Sequence, residues 1–161
     1  MKPKIKTKGL KETIKRLKDI SAKVDFEVKQ ATRDAGDAVA SIAKSRAPVN
    51  TGDLRNSIQN NMFIDSENKK YIATIGSRLK YSEYVEFGTR GHRTNNGTET
   101  FRASLKRWAY LKGLSKWWYA IYLKIVRRGT KKQPYLLPAY YKVKPIFLQR
   151  IKAIAGRAGK K

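Results

Sequence analysis

The sequence predicts an α+β fold: a small antiparallel sheet of three to four strands, packed by a long N-terminal helix and a C-terminal helix, with an extra helical insertion at about 100–128. Three observations predict it. An apolar seam at helical spacing occupies residues 24–42, β-rich segments separated by short polar links occupy 54–89, and helical spacing resumes after Phe101 and again after Pro138.

The elements follow in order. Residues 1–8, where lysine alternates with other residues, read as a basic arm or edge strand. Leu10, Ile14, Leu17 and Ile20 recur every three or four residues, which predicts a short amphipathic helix. Val24, Val28, Ala31, Ala35, Ala38 and Ile42, widened by Val39, predict a longer one. Its repeat is short for a coiled coil, so a helix lying on the protein's own sheet is the preferred reading. It should stop near Arg46, because the residue before Pro48 is pushed out of helical geometry. Asn50-Thr51-Gly52-Asp53 supplies turn chemistry, with Gly52 suited to a positive φ. Residues 54–64, 71–77 and 81–89 read as three strands of a meander, with Tyr81, Glu83, Val85 and Phe87 on one face of the last and Tyr84 and Glu86 on the other. Residues 90–100 form a polar loop. Phe101, Leu105, Trp108 and Leu111 predict a helix broken near Gly113, and Trp117, Trp118, Ile121 and Ile125 a second one ended by Gly129. Two prolines then bracket an apolar plug that opens the last helix, with Ile146, Ile151 and Ile154 on its buried side, before a basic tail at 156–161. A length of 161 residues fits a single domain.

Charge dominates the composition: 37 Lys and Arg against 12 acids, a net of +25. Residues 101–161 carry 17 basic residues and no acidic one, whereas residues 51–100 are nearly neutral with 7 and 6. Such a field attracts nucleic acid, an anionic surface or an acidic protein. The absence of cysteine removes disulfides and thiolate chemistry, and suits a reducing cytoplasm. No apolar run is long enough to span a bilayer, and the N-terminus lacks the apolar core of a signal peptide. The basic, aromatic segment 115–128 is a weak candidate for a membrane surface because its charges scatter around the helix.

Catalytic constellations are scarce. His92 is the single histidine and has no cysteine or second histidine to build a metal site with. Glu83 and Glu86 fall on opposite faces of the expected strand and share neither a proton nor a metal. Neither a phosphate-binding loop nor any other nucleotide motif is present. The chain therefore reads as no enzyme, with no cofactor. Lys and Arg interleaved with Trp and Tyr after Phe101 resemble a nucleic-acid surface, although Trp108, Trp117 and Trp118 at helical spacing fit core or interface better. Backbone contact without sequence readout is the expectation if DNA is touched, with Arg127, Arg128, Lys131 and Lys132 as candidate contacts to DNA or an acidic partner.

Three segments in order, "APVNTGDLRNSI" (47–58), "YSEYVEFGT" (81–89) and "QPYLLPAYYKVKPIFLQRI" (133–151), resemble the tail-completion, or head–tail joining, family of long-tailed bacteriophages over roughly residues 9–152. Onto the corner motif of that family fall Pro48, Thr51, Gly52, Leu54, Arg55, Ser57 and Ile58. Onto its second motif fall Tyr81, Tyr84, Val85, Glu86, Phe87, Gly88 and Thr89. Onto the opening of its last helix fall Pro134, Tyr135, Leu136, Pro138 and Ala139. Asn50 stands where the family has Asp, Ser82 and Glu83 interrupt its usual small residue, Tyr135 replaces Phe, and residues 90–132 are longer than in its shortest members. The resemblance implies a structural protein of the virion neck or upper tail, assembled in the host bacterial cytoplasm. It also implies a homo-oligomeric ring of six- or twelve-fold symmetry, neighbours among the connector, tail-terminator and tail-tube proteins, genomic DNA in the channel, and no membrane. A basic nucleic-acid-binding protein without sequence specificity is the alternative.

Overall fold

The computed structural model describes residues 9–91 and 99–159. The arm at 1–8, the greater part of the polar loop with His92, and the last two lysines of the tail lie outside the described residues.

Helix α1 spans Leu10–Arg46 as one element, not two. The stretch Ser21-Ala22-Lys23 that separates the two predicted helices holds neither Gly nor Pro, so nothing interrupts the ladder. At about 1.5 Å per residue the helix is roughly 55 Å long. Glu12 in its first turn and Lys44 and Arg46 in its last suit the two ends of the helix dipole. It ends as expected at Arg46, where Ala47 turns extended ahead of Pro48. The seam runs slightly off the expected line: Ala31, Val39, Ala40 and Ala43 are buried, while Ala38 is exposed.

A short helix, α2, covers Asp53–Ser57, and the strands β1 (Ile58–Asp65) and β2 (Lys70–Ser77) form an antiparallel hairpin in which Ile58 pairs with Ser77 and Asp65 with Lys70. The sheet has two strands rather than three or four. The first expected strand begins four residues late, because Gly52 launches a helical turn. The third is a helix, α3, over Ser82–Phe87. In so short a run alternation and helical spacing both fit, and the burial of Ser82 with Glu86, one turn apart, decides for the helix. Glu83 and Phe87 are both exposed on its outer side.

The insertion forms α4 (Glu99–Leu111), a 3-10 turn at Ser115–Trp117 and α5 (Trp118–Arg128). These pack chiefly on one another as a helical hairpin. Helix α6 (Leu136–Ala158) closes the chain. It runs antiparallel along α1, with Arg150 bridging to Asp34 at 2.6 Å and Arg157 to Glu27 at 2.7 Å. Of the three isoleucines expected inward on α6, Ile154 is buried and Ile151 half-buried, but Ile146 is exposed. The core joins Val39, Ala40, Ala43 and Ala47 of α1 and its end to Leu54, Ile58, Tyr135, Ala139 and Val143. Helix α1 is thus central, with the hairpin and α6 both laid against it.

Candidate functional site

The three sequence motifs, 47–58, 81–89 and 133–139, meet in one cluster at the end of α1. In the corner, Gly52 has φ +91, closed in practice to side chains with a Cβ, and its carbonyl accepts the Asn56 N–H at 2.9 Å to open α2. Thr51 Oγ1 donates to Asp53 Oδ2 at 2.5 Å across the same turn. Leu54 and Ile58 enter the core. Ser57 Oγ donates to the Leu54 carbonyl and shares a hydrogen bond with Ser77 Oγ at 2.7 Å, pinning the start of β1 to the end of β2. Pro48 is half-buried and Arg55 is exposed.

Glu86 is the centre of the cluster. Its side chain is buried, at 5% exposure, in a chain with 37 basic residues, yet its partners are peptide groups. The Tyr135 and Leu136 N–H groups donate to Oε2 at 2.8 and 2.9 Å, and the Leu137 N–H donates to Oε1 at 2.9 Å. These donors open α6. The first turn of a helix leaves its N–H groups without partners inside the helix. Glu86 takes those of Leu136 and Leu137, and the next residue, Pro138, has none to satisfy. A carboxylate at this end also faces the positive pole of the helix. Motifs two and three are thus the two halves of one capping device.

The neighbouring residues tie the same segments together. Gln133 N–H donates to the Val85 carbonyl at 2.8 Å. Thr89 N–H donates to the Thr130 carbonyl at 3.1 Å, Thr130 N–H to Thr89 Oγ1 at 2.9 Å, and the two hydroxyls lie 3.0 Å apart. Gly129, at φ +74, packs so close to the Thr89 carbonyl that a side chain there would overlap it. Tyr135 and Ala139 are buried, Leu136 and Pro138 half-buried, and Pro134 exposed. Burial pushes the Tyr135 phenol above its ordinary range, and the Glu86 charge adds to the effect. The sequence marks Gly129 as a helix end and Gln133 as the start of the third motif, but no pattern marks Thr130 or the pairing of these residues with 85–89, forty or more residues away. Gly88 follows α3 at φ +75.

Not all motif residues are brought inward. Tyr81, Tyr84 and Phe87 stand exposed on α3. Two adjoining hollows of about 400 Å³ share Pro48, Tyr81 and Val85; Trp108 of α4 lines one, and Phe101 with Ile125 of the insertion lines the other. Arg127, Arg128, Lys131 and Lys132 are exposed near this junction. Trp108 and Trp118 are half-buried, but Trp117 is 65% exposed and does not belong to the core. Among the described residues no three His, Cys, Asp or Glu side chains gather as metal ligands, and no helix is long and apolar enough to cross a membrane.

What this arrangement does chemically is hold backbone: its one buried acid is saturated by peptide donors. The fold is of the α+β class, and the cluster braces it. Residues 11–88 match the model of the family described as "Bacteriophage HK97-gp10, putative tail-component". Over that stretch the chain is similar to this family of phage tail components, in line with its resemblance to phage neck and tail-completion proteins. No curated protein and no solved structure matches it.

Proposed function

We propose that this protein is a structural subunit of the phage neck or upper tail that forms a homo-oligomeric ring, completes the tail and joins it to the DNA-filled head. Residues 1–161 act as one unit, with 1–8 as a basic arm, 90–132 as an insertion and 156–161 as a basic tail. The ring is six- or twelve-fold and docks between connector, tail-terminator or tail-tube proteins. Its acid-free last third faces channel DNA or an acidic neighbour.

The observation that carries this reading is the motif cluster. Three segments distant in sequence are folded into a single brace around Glu86, the device of a protein that works by keeping a shape. An uncovered apolar seam supports it. Leu10, Ile14 and Leu17 lie on the same stripe of α1 as Val24 and Val28, but α6 and the β-hairpin end near residues 21–27, so among the described residues the stripe continues without cover. Apolar stripes of this kind mark protein–protein contacts, here between neighbours in a closed heterologous ring.

Electron microscopy of a lysate from the parent phage with this gene disrupted tests the proposal. DNA-filled heads beside separate tails are expected. Joined, intact virions would overturn it.

A further inference from the structure

One face of the helical insertion gathers aromatic rings beneath cations. Arg102 Nε donates to the Tyr122 hydroxyl at 3.2 Å, and its guanidinium carbon sits 5.1 Å from the centre of that ring. One turn further along α4, the Lys106 ammonium lies 5.9 Å from the Trp118 ring. Tyr119 lies beside Tyr122, near-parallel at 22° with centroids 6.2 Å apart, and meets Trp118 edge-on at 5.6 Å. Tyr122 is buried and serves the hairpin's own packing, but Tyr119 is 56% exposed. Glu99, which opens α4 about one turn before Arg102, is the single Asp or Glu between residues 99 and 161, so the sequence around this face is otherwise free of acidic side chains.

We propose that this face binds single-stranded nucleic acid, with phosphates at Arg102 and Lys106 and a base stacked on Tyr119. An acidic peptide would need the cations alone. An exposed flat ring held at their side fits a base, since every base offers a π-face and sequence-independent single-strand binders combine stacking rings with basic grooves. The site uses none of Arg127, Arg128, Lys131 and Lys132, and the inference stands whether or not the protein joins heads to tails.

The test uses the purified full chain and fluorescence anisotropy at moderate salt, with a labelled oligothymidylate and a duplex of equal length. Tyr119→Ala keeps every charge. It is expected to weaken single-strand binding roughly tenfold, in the range measured for loss of one stacking ring, while duplex affinity changes less than twofold and Tyr119→Phe restores the single-strand value. An unchanged single-strand affinity, or equal losses on single strand and duplex, overturns the proposal. Displacement of the oligonucleotide by polyglutamate of equal charge at equal concentration also overturns it, in favour of an acidic protein partner. If circular dichroism shows Tyr119→Ala misfolded, Lys106→Gln carries the test. The slope of log affinity against log salt on the single strand should then fall by about 0.7, the share of one phosphate contact; an unchanged slope sinks the idea.

Discussion

A buried carboxylate in a chain of net charge +25 would be expected to find a lysine or arginine, yet Glu86 is held by the peptide groups of Tyr135, Leu136 and Leu137. Hydrogen bonds to a charged acceptor are among the stronger ones, and a buried donor left unpaired costs more than its bond contributes when made. Glu86→Ala removes both acceptor oxygens, and with them three hydrogen bonds, at once. Water will reach part of the vacated space, so the expected loss is about 3–5 kcal/mol, read as a lower urea midpoint at unchanged slope. A loss below about 1 kcal/mol would show that the cap is dispensable. At this scale the corner was legible, because the freedom of Gly52 and the restriction imposed by Pro48 are properties of single residues and their neighbours. The role of Glu86 was not. Its partners stand 49 to 51 residues away, and a strand pattern that set it opposite Glu83 hid the helix turn that buries it.

Element by element, α1 shows what local pattern can and cannot say. The stripe Leu10, Ile14, Leu17, Val24, Val28 has the spacing of a buried face throughout, and spacing does not reveal where cover ends. The hairpin reaches only as far as Lys69 bonding Ser21 at 3.1 Å, and α6 reaches Glu27 through Arg157. Beyond these points Leu10, Ile14 and Leu17 are 51%, 43% and 61% exposed. Replacing Ile14 and Leu17 together by lysine should leave helix content unchanged and shift stability of the subunit by only about 0.5 kcal/mol per site, as for surface positions. For the ring proposed above, sedimentation should show the assembled species replaced by a smaller one. Retention of the same oligomer would remove α1 from the subunit contact. The α3 segment makes the complementary point: six residues hold less than two helical turns, too few for periodicity to separate helix from strand.

On the scale of the whole molecule, the chain has a braced core and a helical hairpin, α4 and α5, that packs mainly on itself. Residues 11–88, which match the phage tail-component family, contribute α1, the corner, β1, β2 and α3; α6 completes their core from the far end of the sequence. Helices α4 and α5 are packed mainly on each other and meet the core along the shared hollows by Tyr81 and Val85. Replacing residues 99–128 with a short Gly/Ser linker should therefore preserve one cooperative unfolding transition and the core's circular dichroism, at some cost in stability from exposing Phe101's and Ile125's contacts. Loss of cooperative unfolding would show that the insertion belongs to the core. Sequence alone determined the α+β class, the end of α1, the φ of Gly52, the acid-free last third and the tail-component resemblance, because each rests on composition, on local backbone limits or on motifs that are read along the chain. Only the tertiary structure decided the two-stranded sheet, the helical form of 82–87, the cap that Glu86 places on α6 and the placing of Arg102 and Lys106 over the Tyr122 and Trp118 rings. Those depend on which distant segments come into contact, at about 3 Å for hydrogen bonds and within about 6 Å for a cation over a ring, and not on spacing along the sequence.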